Sequence, residues 1–315
     1  MATARRTRAV AVGLSLFAAF LWSTYYVFVL KATPGAAPSA ILVYPFLFGG
    51  AGYIVWTYLR HEGASFVREW ASPSAWLRIA LLVGMQVGVL AATYLTGPVD
   101  AALLSLIGDV VVTPIVVATL LGIHREHIAT PLFAVGLVLS FVGGSLAIAG
   151  GQRLEAVPPL GWLVVPVVPI TVALFFLLTA RANERAPASA VLAQSMTAAG
   201  LVLLIAAPLF PGGWAGLAHV GPIPLLLLFG CGLTSFFLAD VLYFLAIAQV
   251  GLVIPPMLMT GIPVFTLILS ATLLGIGLPI LGVLGIPIAI VGALLALRGG
   301  AEPSGRSGGA AVPDA

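Results

Sequence analysis

Ten apolar stretches of about twenty residues follow one another along this chain, and that succession limits its fold more than any single motif does. They fall near 10–30, 39–59, 77–96, 101–122, 130–150, 159–180, 187–209, 224–248, 252–274 and 278–297. A helix needs about 20 mostly apolar residues to cross the hydrocarbon layer of a membrane. Water would not hold such a chain as a globule: 61% of its residues are hydrophobic and 7% charged, against about 25% charged in ordinary soluble domains. The pattern predicts an all-α integral membrane protein with ten transmembrane helices. Arg5, Arg6 and Arg8 before the first stretch imitate a secretory signal. The stretch is longer than the roughly 7–15 residues of a cleaved apolar region, so it reads as an uncleaved first span.

The ten stretches repeat as five and five. Ala118-Thr119-Leu120-Leu121-Gly122-Ile123 returns letter for letter as Ala271-Thr272-Leu273-Leu274-Gly275-Ile276, and Gly108 keeps register with Gly261. Pro38-Ser39-Ala40 corresponds to Ala188-Ser189-Ala190, and Gly50 to Gly200, at nearly the same offset. Repetition of this kind defines the architecture before any local reading does. Because five is odd, the second half enters the membrane from the opposite side, giving inverted-topology repeats with a site expected near the midplane where the halves meet. The expected organisation is a cytoplasmic segment 1–9, a first five-helix repeat 10–150, a second 151–298, and a disordered cytoplasmic tail 299–315 rich in Gly, Ala, Pro and Ser. With the amino terminus inside, eleven basic residues lie on the inner side and only Lys31 and Arg153 outside. That bias puts both termini in the cytoplasm.

Folding each span into a 3.6-residue helix gathers its polar groups onto faces. Ser105, Asp109 and Thr113 share a face of the fourth span; Gln86, Thr93 and Tyr94 group on the third; Gln194 and Thr197 pair on the seventh. Asp240 accompanies Phe236, Phe237, Tyr243 and Phe244 on the eighth, and Thr266 and Ser270 follow on the ninth. For the hydroxyls and amides, hydrogen bonding between packed helices is sufficient explanation. The two aspartates differ, since an acid near a helix centre costs about 2.5–3.5 kcal/mol on insertion scales. No Lys or Arg is expected deep in any span, so each aspartate must be protonated, hold a cation or reach water. A proton or cation coupling role for Asp109 and Asp240 follows. Trp22, Tyr25, Tyr26, Tyr44, Tyr94 and Tyr243, with Gln86 and Gln194, are the candidate substrate-binding groups, because ring faces attract a cation. Gly136, Ser140 and Gly144, and Gly285, Ala289 and Ala293, recur at four-residue spacing and read as helix-packing faces.

Other chemistry finds little here. The single Cys231 excludes an internal disulfide. His61, His124, His127 and His219 all fall between spans, no HExxH motif occurs, and no GxxxxGK[ST] phosphate loop is present. No cofactor, metal or nucleic acid is expected as a partner, and an enzymatic role is not.

The motifs at the end of each half resemble those of the drug/metabolite transporter superfamily, specifically its EamA-like ten-helix branch. Pro263-Val264-Phe265 through Leu273-Leu274-Gly275 follows the spacing that closes the family's ninth span, although Ile276 stands where the family has glutamate. Leu121-Gly122, then Thr130-Pro131-Leu132 through Gly136, match in the first half, with Glu126 displaced, and Trp22 fits the first span. Tyr44-Pro45 occupies the place of the arginine often found early in the family's second span, which removes a counter-ion for an anionic substrate. The resemblance implies a plasma-membrane secondary transporter that moves a small metabolite, amino acid or amine-type drug by alternating access, coupled to a proton or cation. A membrane-embedded enzyme and a passive channel are the alternative readings.

Overall fold

Proline sets where many of these helices begin. Its fixed φ suits the first helical position, where its missing N–H leaves no bond unmade. The computed structural model describes residues 2–95, 130–149, 159–251, 255, 258–259, 261–275 and 280–299, and among them every regular element is helical. The helices are α1 (Ala2–Ala32), α2 (Pro38–Leu59), α3 (Gly63–Glu69), α4 (Pro73–Leu95), α5 (Pro131–Ala149) and α6 (Pro159–Asn183). They continue with α7 (Ala188–Ile205), α8 (Gly213–Ala218), α9 (Pro222–Cys231), α10 (Ala239–Val250), α11 (Gly261–Leu274) and α12 (Ile280–Gly299). A π-helical segment, Gly232–Leu238, joins α9 to α10. Five continuous helical stretches are long and apolar enough to cross a membrane: Thr7–Gly35, Pro38–Leu59, Pro73–Thr93, Ala188–Ile205 and Pro222–Val250. Pro131–Gly143, Ile170–Asn183, Gly261–Leu274 and Val283–Gly292 are apolar but shorter. The stretch expected at 101–122 lies outside the described residues.

Local chemistry explains several boundaries. At α5, Thr130 Oγ1 accepts a hydrogen bond from the Phe133 N–H at 3.2 Å, capping the helix start just before Pro131. At the end of α2, His61 turns left-handed (φ 59°), the Glu62 N–H reaches Thr57 O at 2.9 Å and the His61 N–H reaches Tyr58 O at 3.0 Å. This pair of bonds satisfies carbonyls left over at the helix end. Two departures from expectation stand out. Residues 2–9 of the expected amino-terminal segment are helical and continuous with α1, because nothing between Ala2 and Val10 is a strong helix breaker. The links after α2 and α7 contain short helices, α3 and α8, where only loops were expected.

Helix pairing holds the core. α2 lies against α7, α4 against α6, and α1 against α9, α10 and α11; α5 packs along α12. Small residues permit the close approaches. A Cβ on Gly50 would stand 3.0 Å from Thr197 Oγ1, and one on Gly200 would stand 3.0 Å from Leu47. The register (47 with 200, 50 with 197) runs antiparallel. A Cβ on Gly292 would meet the Ser140 backbone nitrogen and the Gly136 oxygen, so the Gly136/Ser140 face does pack a neighbouring helix.

Candidate functional site

Around Trp22 the polar residues of α1 tie it to two neighbours. Ser23 Oγ donates to Ile262 O of α11 at 3.0 Å and to Ala19 O at 2.7 Å. On the other side Ser235 Oγ donates to Leu21 O at 2.9 Å, and Thr24 Oγ1 lies 3.2 Å from Ser235 Oγ and 3.3 Å from Thr234 Oγ1. Thr234 and Ser235 belong to the π-helical segment, a geometry that occurs mostly as a local bulge and frequently at functional sites. These bonds fix the rotation of α1 against α10. As a result the Trp22 indole Nε1 donates to Asp240 Oδ1 at 2.9 Å.

That bond lies at the wall of a cavity of about 90 Å³. One water needs about 10–15 Å³ by this kind of measure, so the space admits several waters or a small metabolite. Trp22, Tyr25 and Tyr26 of α1, Leu82, Met85, Gln86 and Val89 of α4, and Val172, Phe175 and Phe176 of α6 line it. Met196 of α7, Ser235 and Phe236 of the π segment, Asp240 of α10 and Ile262 of α11 complete it. Trp22 stands with its ring centroid 6.0 Å from Phe176 and 5.0 Å from Tyr243. Tyr25 contacts Tyr26 edge-on at 5.3 Å and Phe236 at 5.8 Å. The wall is therefore mostly aromatic and apolar, with one buried carboxyl. Among the described residues no Lys or Arg pairs with Asp240.

Of the residues singled out from sequence, Trp22, Tyr25, Tyr26, Gln86 and Asp240 line this cavity. Three others are elsewhere. Tyr44 Oη donates to Leu217 O at 2.8 Å and its ring stacks on Phe48, so it anchors α2 to the chain after α8. Tyr243 is fully buried behind Trp22 and Phe176 and does not reach the cavity surface. Gln194 faces Arg78, its Oε1 accepting from Nη2 at 3.4 Å, with its Nε2 unpartnered among the described residues. Asp109 and the side chain of Tyr94 lie outside the described residues.

A basic side chain is nonetheless buried near one end of a span. Arg78, one and a half turns into α4, has no exposed surface. Its guanidinium donates to Glu69 Oε2 at 2.8 Å, Ser74 Oγ at 3.1 Å and Ser195 Oγ at 3.4 Å. α3, which carries Glu69, supplies the counter-charge. The aromatic pair Phe175-Phe176 and Ser235 were also missed as cavity components. For the aromatic pair the only sequence signal is adjacency.

Comparison with known proteins follows this geometry. No curated protein matches the sequence. A crystal structure, described in print only as that of a protein, is similar in fold, with a TM-score of 0.64 at 18% identity, over 92% of this chain and 97% of that one. Residues 159–298 match the model of the EamA-like transporter family, and that match, with the long apolar helices, identifies the chain as an integral membrane protein.

Proposed function

We propose that the chain is a secondary transporter that carries a small amine, amino acid or neutral polar metabolite across the plasma membrane by alternating access. The observation that carries this reading is the Trp22–Asp240 hydrogen bond inside an aromatic cavity walled by α1, α4, α6, α7, α10 and α11. A carboxyl flanked by ring faces suits a cationic or amine-bearing group: aromatic contact with a desolvated cation contributes about 2 kcal/mol. Asp240 is also a group through which a proton or cation would couple to movement, with Asp109, at a position not equivalent to it, as the other candidate. Transporters of this family are generally not enzymes and act on small molecules within the bilayer.

The proposed architecture is two inverted five-helix repeats, residues 10–150 and 151–298, with both termini cytoplasmic. Reciprocal contacts support it. Ser39 at the start of α2 donates to Gly213 O beyond the end of α7, at 2.9 Å, while its counterpart Ser189 at the start of α7 donates to Glu62 beyond the end of α2. Gly50 approaches Thr197 just as Gly200 approaches Leu47. The pairings α1 with α10 and α4 with α6 exchange under the same two-fold relation. A midplane site between the halves is what such a relation produces.

The test is counterflow in proteoliposomes, screened over matched amines, amino acids, neutral metabolites and phosphate esters. Saturable counterflow of an amine or zwitterion is expected. Linear, unsaturable flux would identify a channel, and preference for phosphate esters would overturn the substrate class.

A further inference from the structure

The central cavity is not the only opening on α4 and α6. A second cleft, about 190 Å³, opens where these helices end and is lined by Glu69, Ser72, Ser74, Leu178, Arg181 and Arg185. Along α4 the order is Ser74 in the cleft, then Arg78, then Leu82, Met85 and Gln86 in the cavity. From just beyond the end of α6 back along it, the order is Arg185, Arg181 and Leu178 in the cleft, then Phe176, Phe175 and Val172 in the cavity. The two openings therefore face each other along one helix pair. Arg78 stands between them, one helical turn, or about 6 Å, from Leu82.

The geometry points to the Arg78–Glu69 pair as the closed gate between cleft and cavity, with α3 as its movable jaw. This rests on the alternating-access reading. Arg78 is joined to three separate elements: Glu69 of α3 at 2.8 Å, Ser195 of α7 at 3.4 Å and, within α4, Ser74 at 3.1 Å. α3 is itself held to α7 at its other end, where Ser189 donates to Glu62. α3 has only seven residues, and besides these polar contacts Phe66 and Trp70 pack it against the core, so its movement parts that packing as well. Releasing it would free Glu69, return Arg78 to the cleft, where Ser72, Ser74 and water can solvate it, and join the two openings. Desolvation gives the gate its two-state character. A guanidinium with no exposed surface is held by its carboxylate or must go to water, because a buried unpaired charge is strongly unfavourable.

Gln86→Cys places a thiol in the cavity, and the native Cys231 is fully buried. Labelling by a membrane-impermeant thiosulfonate is measured from each side in the full-length protein, the α3 side being identified by a separate cysteine at exposed Ala71. Adding Glu69→Gln should raise the labelling rate of the Gln86→Cys protein at least tenfold from the α3 side only. Glu69→Asp, which keeps the charge but shortens the reach, should give the same direction at smaller size, and carries the test if the amide variant does not fold. An unchanged rate in the folded variant, or an equal rise from both sides, overturns the gate. The readout needs no substrate, so a protein that gates but shows no counterflow would fail the transport reading alone.

Discussion

Asp240 owes its setting to one turn of α1. Leu21 O, Ser23 and Thr24 pin that turn to the π segment and to α11, and Trp22, lying between them, presents Nε1 to the carboxyl. Asp240→Asn keeps the shape but neither ionises nor exchanges a proton. It should abolish accumulation against a gradient while counterflow, which needs no coupling, persists; full accumulation in the variant would remove the coupling role. Trp22→Phe keeps a ring and removes the donor. Hydrogen bonds to charged groups contribute about 1.5–3 kcal/mol, so apparent substrate affinity in counterflow should fall about tenfold or more. At this scale the sequence was informative where the residue type is costly in lipid: an aspartate in an apolar run announces itself. It was misleading for Tyr44, Gln194 and Tyr243, whose types fit a binding site equally well. Their faces turn toward Leu217, Arg78 and the back of Trp22.

Elements of this protein meet where glycine allows backbone to touch backbone. Gly232, the first residue of the π segment, would carry a Cβ 2.7 Å from Phe48 Cβ and 2.7 Å from Pro45 O. Gly232→Ala should therefore destabilise by about 1–3 kcal/mol through overpacking, read as a lowered midpoint in thermal unfolding of the detergent-solubilised protein. An unchanged midpoint would mean that α2 and the π segment can part without loss. The Arg78–Glu69 pair belongs to the same scale. Glu69→Gln strands a fully buried guanidinium, and breaking a buried pair from one side costs about 3–5 kcal/mol; with Glu69 12% exposed, the low end is expected. Arg78→Met combined with Glu69→Leu should recover most of that stability, since apolar replacement of a whole buried pair is often neutral. Prolines at 38, 73, 131, 159 and 222 mark five of the helix starts. The π segment was not legible, because Gly232–Leu238 contains no proline, and Thr234 and Ser235 occur as readily in an ordinary transmembrane helix.

Across the whole molecule the two ends are distinct. Ser39 and the chain from Pro211 to Leu217 gather at one end, α3 and the start of α7 at the other. A cysteine at exposed Ala215 should therefore label from the opposite side of the membrane to one at Ala71, and labelling of both from one side would overturn the proposed topology. The sequence by itself determined that this chain belongs in a bilayer and that its regular structure is helical, and its internal matches are the ground for the proposed repeat. Each of these follows from composition and spacing, which act locally or along the chain. Only the tertiary structure decided which face of each helix looks inward. Rotation about a helix axis changes no backbone hydrogen bond, and lipid solvates an apolar face as well as a neighbouring helix does. Small residues and a few buried polar bonds set it instead: Gly50 against Thr197, Ser235 on Leu21, and Trp22 on Asp240.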